Sequence, residues 1–376
     1  MNSKILLSGN TAWSMSNFRY ELIEKLILNG NEVVVVSTPD DHVERLEAVG
    51  CRFVPLHIDG KSKNFLKEMV LLWRIFTIFF KEKPDLVINY TIKPVIYGSL
   101  VTQALRIPTI SVITGMGSTF LNRNMFTLLV EFLYRISQRA VSTAFVLNKD
   151  DFDIFQSRRL ISEFVLEILP GEGVNLEYFS TPIGAELARQ HRPFRFILIA
   201  RMLWEKGVGE YVEAAKILKK THPDVEFCLL GFLDVDNDSA ISKEQMTIWT
   251  NEANVRYLGV SKDVRPFIDG ADCVVLPSYY MEGLPRCLLE AAAMSKPIVT
   301  TNSVGCRDVV EDGVTGFLCT PRDEVDLADK MDEIIGLSSD QRREMGRRGR
   351  EKVEREFDQK IVIDLYLNHI NKIVEP

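Results

Sequence analysis

The 376-residue sequence is poor in the materials of metal sites, disulfide frameworks and membrane spans. Its six cysteines (Cys51, Cys228, Cys273, Cys287, Cys306, Cys319) include no CxxC pair and no metal-type spacing, and several lie inside apolar runs. That pattern argues against a disulfide scaffold and fits small core residues in a reducing cytosol. No run of about 18 uncharged apolar residues occurs, so no helical span is expected. The N-terminus, Met1 to Asn10, has too short an apolar core for a signal peptide. Low-complexity segments and short-period repeats are absent. A basic excess is absent too, since the net charge is −7. The first 185 residues hold 19 basic and 19 acidic side chains, so the whole acidic excess falls in the remainder. A neutral half followed by an acidic half argues against general nucleic-acid binding. The first predicted strand is followed by Gly9-Asn-Thr-Ala-Trp rather than GxGxxG, which disfavours an NAD(P) oxidoreductase.

What is present reads as two α/β halves, the natural expectation for this length. In the first half, strands are expected at 4–8, 32–37, 52–56, 85–89, 110–114 and 143–147. A loop is expected at 9–17 and helices at 18–29 and 65–81. Val33 to Val36 is continuously β-branched, as in a strand covered on both faces. The second half repeats the alternation from Phe194 to Gly336. This is the pattern of two doubly wound, Rossmann-like domains with a cleft between them. Ile361 to Val374 reads as a helix with one apolar face.

The chain is organised around residues 280–297. A short buried strand at 271–278 leads into the turn Glu282-Gly283-Leu284-Pro285, then a helix from Arg286 to Met294 with Pro285 at its start. A helix N-terminus after a Gly turn offers backbone N–H groups and the positive end of a dipole, which suits a phosphate. Carboxylates beside a phosphate site make sense if they accept hydrogen bonds from sugar hydroxyls, and Glu282 and Glu290 flank this terminus. Before it, Arg201-Met-Leu-Trp-Glu-Lys206-Gly207 places an arginine fork and a lysine point charge five residues apart after another strand. A solvated loop with an Arg201–Glu205 pair is the other reading of that stretch.

Glu282 and Glu290 with Glu-Gly-Leu-Pro-Arg between strand and helix resemble the E-x7-E signature of retaining family 4 glycosyltransferases of the GT-B fold. The resemblance covers nearly the whole chain and is strongest from 200 to 320. It implies that Glu282 contacts the donor sugar, that Glu290 contacts the nucleotide ribose, and that Arg201 and Lys206 hold the donor diphosphate as it leaves. Gly9, Gly231, Gly283, Leu284, Pro285 and Arg286 complete the implied donor set. The catalytic set is Arg201, Lys206 and Glu282. Residues 1–168 with 358–376 form the expected acceptor domain, the C-terminal helix crossing back onto it, and 169–357 the donor domain. Leu169 to Asn175 resembles the hinge, although Asp is commoner than Asn175 there. Segments 304–310 and 311–317 match family patterns at the far wall of the nucleotide pocket.

One departure concerns histidine. Many family members carry one at an N-domain strand end near the donor sugar, and none of His42, His57, His191, His222 or His369 is placed there. This chain has Thr114-Gly115-Met-Gly117-Ser118 instead, whose backbone amides are expected to face a donor or acceptor diphosphate. Lys93, in Tyr90-Thr-Ile-Lys93-Pro94, is a candidate cation for an acceptor phosphate, or a snorkelled surface lysine. Helix 65–80 carries many aromatic and aliphatic residues flanked by Lys61, Lys63, Lys67, Arg74, Lys81 and Lys83. It reads either as a basic amphipathic helix on an anionic membrane leaflet or as a buried layer helix. Asp234-Val-Asp236 reads as a solvated loop, so no metal is expected, and no cofactor. Relatives with the 90–94 and 114–117 patterns resemble bacterial surface-polysaccharide or glycan assembly enzymes using polyprenyl-diphosphate-linked acceptors. The resemblance therefore implies transfer of a hexose or N-acetylhexosamine, with retention, from a UDP-sugar to such an acceptor, at the inner face of the cytoplasmic membrane. A UDP-sugar 2-epimerase and a non-catalytic nucleotide-sugar-binding subunit are the rival readings.

Overall fold

Alternate residues along the first strands point into two different cores, and this decides the architecture. Ile5 and Leu7 of β1 and Val33 and Val35 of β2 enter one core, while Leu6, Val34 and Val36 enter another. A strand buried on both faces requires helices on both sides of its sheet. The structure, a computed structural model, describes residues 3–60, 62, 64–115, 125–180, 192–252 and 255–374. It divides into two compact units, Met1–Glu172 with Lys360–Pro376, and Gly173–Gln359.

The first unit runs β1 (Lys4–Thr11), α1 (Ala12–Phe18), α2 (Tyr20–Leu28), β2 (Glu32–Thr38), α3 (Val43–Ala48), β3 (Arg52–Pro55), α4 (Phe65–Glu82), β4 (Leu86–Tyr90), α5 (Ser99–Leu105), β5 (Thr109–Ile113), α6 (Met125–Ser137), β6 (Thr143–Val146), α7 (Lys149–Ser157) and β7 (Leu166–Ile168). All its strands are parallel, in the order β3-β2-β1-β4-β5-β6-β7. The chain winds one way from β1 and the other way from β4, so the switch point lies between these two strands. The loop expected at 9–17 is instead the end of β1 followed at once by α1. Thr11 makes this possible, because its side chain accepts from the N–H of Ser14 at 3.1 Å and caps the helix. The helix then breaks at Arg19, whose buried guanidinium pairs with Glu172 and lies 4.3 Å from the Tyr90 ring centroid.

The second unit runs β8 (Arg195–Ile199), α8 (Val208–Leu218), β9 (Glu226–Leu230), α9 (Lys243–Glu252), β10 (Val255–Tyr257), α10 (Arg265–Asp269), β11 (Cys273–Leu276), α11 (Arg286–Ala293), β12 (Ile298–Thr301), α12 (Cys306–Val309), β13 (Gly316–Cys319), α13 (Glu324–Gly336) and α14 (Ser339–Glu356). Its strand order, β10-β9-β8-β11-β12-β13, is again parallel and doubly wound, with the switch point between β8 and β11. The final helix, α15 (Gln359–Val374), packs in the first unit. Val362, Tyr366 and Ile370 join the core of β1 and β2, and the Tyr366 ring meets Phe145 edge-on at 5.6 Å. Burial pushes the Cys51 and Cys306 thiols up to about 11, as befits core residues rather than reactive ones.

The helix α14 has no counterpart in the sequence reading. Its inward stripe is Met345, Gly346, Gly349 and Val353, so glycine, not bulk, makes the contact. A Cβ on Gly346 would stand 2.0 Å from the carbonyl oxygen of Ser295, just past α11. Gly346→Ala is therefore expected to destabilise the protein by about 1–3 kcal/mol in urea denaturation, although alanine is the better helix former. Gly336→Ala, where the new methyl meets nothing within 4 Å, is the control and should be neutral or stabilising. A neutral Gly346→Ala would show that α14 does not rest on this contact.

Candidate active site

Two loops at the C-terminal edge of the second sheet carry the expected donor residues, one after β8 and one after β11. These are the strands that flank the switch point, where open parallel sheets present their ligand-binding edge. The first loop holds Arg201 and closes in a tight helical turn at Trp204–Lys206. Gly207 follows at φ 73°, and a Cβ there would stand 2.1 Å from the carbonyl oxygen of Pro277. Only glycine lets the two loops approach this closely. The carbonyl of Glu205 then accepts from the Tyr279 N–H at 3.0 Å and from the Ser278 hydroxyl at 3.1 Å.

This stitching brings the Lys206 ammonium onto Glu282 Oε1, and the pair is largely buried. The one Ser278 hydroxyl proton is shared between the Glu205 carbonyl and this carboxylate oxygen, which lies 3.0 Å from Oγ. The Tyr280 ring centroid lies 5.3 Å from the ammonium. Burial works against the charge on Lys206, but the attraction and hydrogen bond of Glu282 outweigh it and hold its pKa above the ordinary lysine value. Arg201 is exposed and near enough for its charge to oppose that of Lys206. It forms no ion pair with Glu205 among the described residues, so the alternative surface pair is not what the loop makes; the buried Oε2 of Glu205 has no partner.

On the other side of the turn, Gly283 is buried, Leu284 half-buried, and Pro285 is the N-cap residue of α11. Pro285 makes no side-chain cap, and its carbonyl accepts from the Leu288 N–H at 3.1 Å, so the cap residue takes neither of the first two N–H groups of α11. Arg286 Nε reaches Glu290 Oε1 at 3.0 Å, one helical turn on. Burial pushes the Glu290 carboxyl up to about 7, with the Arg286 guanidinium opposing the shift. Gly305, at φ 75°, closes the far side: a Cβ there would lie 2.8 Å and 2.9 Å from the carbonyl oxygens of Gly283 and Glu282. Gly231, at φ 144°, is a crossing point, its missing Cβ making room for the Ala200 carbonyl oxygen at 1.8 Å. The second unit thus gathers Lys206 with Glu282, and Arg286 with Glu290, around the start of α11, with Arg201 at the edge.

The remaining expected residues belong to the first unit. Gly9 lies in β1, where its position faces the Met15 side chain. Thr114 and Gly115 follow β5, and Gly115 has φ 114°, a conformation that requires glycine. Gly117 lies outside the described residues. Lys93 follows β4, but its ammonium donates to the Asp59 carbonyl at 2.6 Å, the Ser62 carbonyl at 3.0 Å and Glu68 Oε1 at 2.6 Å. Three acceptors use all three of its N–H bonds, so here Lys93 braces the start of α4 rather than standing open to a phosphate. It borders a cavity of about 380 Å³ that also includes His57, Lys67 and Arg74. Asp234 of the expected solvated loop pairs with Lys243 at 3.2 Å. Sequence reasoning missed Ser278 and Tyr280; neither has a distinctive spacing, and only the loop contact shows that they bear on Lys206 and Glu282.

The raised Glu290 pKa has a measurable consequence. A free glutamate titrates near 4.5 and this one at about 7, so folding favours its protonated form. Its contribution to stability is full below 4.5 and is lost as pH rises through 7. Glu290→Gln, neutral at every pH, should escape that loss, by at most about 3 kcal/mol. Urea denaturation of both proteins across this range checks it, and equal pH dependence would contradict the burial argument.

The two halves match two families of glycosyltransferases: Glycosyl transferase 4-like over residues 4–147, and Glycosyl transferases group 1 over residues 181–352. The chain is 25% identical to the N,N'-diacetylbacillosaminyl-diphospho-undecaprenol alpha-1,3-N-acetylgalactosaminyltransferase of Campylobacter jejuni, covering 96% of both chains. It is 24% identical to the UDP-Gal:alpha-D-GlcNAc-diphosphoundecaprenol alpha-1,3-galactosyltransferase of Escherichia coli, over 83% of this chain and 81% of that one. Among solved structures, Anabaena HepE in complex with UDP and glucose superposes with a TM-score of 0.80 at 19% identity, over 98% of this chain and 100% of that one. The sucrose-phosphate synthase of Thermosynechococcus elongatus superposes with a TM-score of 0.79 at 17% identity, over 99% of this chain and 98% of that one. At those identities the structural likeness speaks for the fold, and the family matches speak for the chemistry. The chain belongs to the glycosyltransferases of the GT-B fold, its first half of the 4-like family and its second half of group 1.

Proposed function

We propose that this glycosyltransferase moves a hexose or N-acetylhexosamine, with retention, from a UDP-sugar to a polyprenyl-diphosphate-linked saccharide in surface polysaccharide or glycan assembly. The observation that carries the reading is the convergence of Arg201, Lys206, Glu282 and the start of α11 at the β8/β11 switch point. The Campylobacter and Escherichia relatives, both named for transfer to undecaprenyl-diphosphate-linked sugars, support the acceptor class, and the Escherichia name and the HepE complex support UDP. The domain roles follow from the same reading: the second unit takes the donor, the first takes the acceptor near Gly115, and the enzyme works at the inner face of the cytoplasmic membrane.

The donor diphosphate lies against Arg201, Lys206 and the N–H groups at the start of α11. Lys206 is paired with Glu282, so donor binding exchanges that contact. The ammonium turns to phosphate and the carboxylate accepts from hydroxyls of the donor sugar. Glu290 accepts from the ribose hydroxyls. The bond from C1 of the sugar to the β-phosphate oxygen then breaks, its electrons staying on that oxygen. The acceptor hydroxyl bonds to C1 from the same face and gives its proton to the departing phosphate. The cations stabilise charge that grows only as this bond breaks, which is where electrostatic stabilisation accelerates a reaction.

Arg201→Ala and Lys206→Ala are each expected to lower kcat, on the order of 10²-fold or more, in transfer from UDP-sugar to a diphosphate-linked acceptor. Near-wild-type turnover in either variant would remove that residue from the diphosphate. Conversion of the UDP-sugar without any acceptor would favour the epimerase instead.

A further inference from the structure

Helices α4, α5 and α6 lie side by side over one face of the first unit's sheet, α5 packed between the other two. The inner side of α4 fills the core with Leu71, Ile75 and Phe79. Its exposed side is not the polar face of a water-facing helix, because large apolar residues stand there beside Lys67, Arg74 and Lys81. Phe65, Trp73 and Phe80 are 73%, 68% and 58% exposed, and the rings of Trp73, Phe76 and Phe80 stack along the helix at 5.7 and 5.9 Å. On α6, Met125, Leu129 and Phe132 are 84%, 52% and 54% exposed.

Charge on this layer is segregated by sign. Its acids are Glu68, Glu82 and Glu131, and each is held by a cation: Lys93 at 2.6 Å, Arg52, and Arg158 at 2.7 Å. Lys67, Arg74, Lys81, Lys83, Arg106 and Arg139, in these helices or within two residues of their ends, remain exposed. A chain of net charge −7 therefore carries one face that is apolar and positive.

We propose that the outer face of the α4–α6 layer docks on an anionic lipid surface, α4 and α6 entering it together. Apolar side chains enter the headgroup boundary while the surrounding cations meet lipid phosphates, the division of labour of an interfacial amphipathic helix. A second copy of the chain is the poorer occupant, because an isologous contact would set these cations against one another. The face follows from its own chemistry, and it gives the lipid-linked acceptor of the proposed function a surface at which to be met.

Cosedimentation of the full-length protein with vesicles of phosphatidylcholine, with and without phosphatidylglycerol, tests this. Binding is expected to need the anionic lipid and to be released by salt. Lys81→Gln with Arg139→Gln should weaken it about 25-fold, about fivefold per charge. Trp73→Ser and Phe132→Ser, one on each helix, should each weaken it about tenfold. Absence of binding to anionic vesicles overturns the proposal, as does binding that survives these changes. A loss confined to the α4 variants overturns the two-helix face. A lipid-independent dimer broken by the same substitutions would assign the face to a second copy. Transfer to a short-chain, water-soluble acceptor separates this from the proposed function: it should be unchanged in all four substitutions, and its absence from the wild type would count against the acceptor, not the face.

Discussion

The backbone carbonyl of Glu205 is the point on which the site depends. By accepting from Tyr279 and Ser278 it fastens the loop after β8 to the loop after β11. Everything beyond follows: Gly207 must be glycine to pass Pro277, Lys206 must fall beside Glu282, and α11 must begin next to both. The arrangement uses backbone for position and side chains for charge. Backbone contacts fix the geometry more firmly than a flexible lysine side chain does.

The charge pair so placed contributes little to stability. Burying an ammonium and a carboxylate costs desolvation that cancels much of their attraction, so a buried pair adds little net stability to a fold. In the proposed function its value lies in being exchangeable: a charged, buried Lys206 has already met the cost of stripping water from that ammonium, which is how preorganised electrostatics act. Glu290 shows the same economy in milder form, a carboxyl held near neutrality by burial and tempered by Arg286.

Most of the fold was legible in the sequence because strands buried on both faces announce themselves. The Val33–Val36 run, the strands at 194–200 and 226–230, and the strand–turn–helix at 271–294 stand where the pattern placed them. What escaped did so for identifiable reasons. Helix α14 is dense in arginine and glutamate and meets its neighbour through Gly346 and Gly349, so it has little hydrophobic period to read. Helix α1 follows β1 without a loop, because Thr11 ends the strand and caps the helix at once. At the site, residue types and spacing pointed to Arg201, Lys206, Glu282 and Glu290, but not to the Lys206–Glu282 pairing, which needs two loops of distant sequence. Lys93 looked equally open in the sequence, and only the placement of Asp59, Ser62 and Glu68 shows its three acceptors.

Binding of the free nucleotide tests the central claim most directly, because it needs neither the acceptor nor the sugar. Thermal denaturation with UDP, GDP and ADP, for wild type and for Arg201→Ala, an exposed substitution that leaves the core intact, would decide it. At about 100 times its dissociation constant UDP should add roughly 2.7 kcal/mol of stability to the wild type. GDP and ADP should add less, and Arg201→Ala should need more UDP for the same rise. No stabilisation by any nucleotide, or one indifferent to Arg201, would contradict the assignment of the β8/β11 switch point to the donor diphosphate.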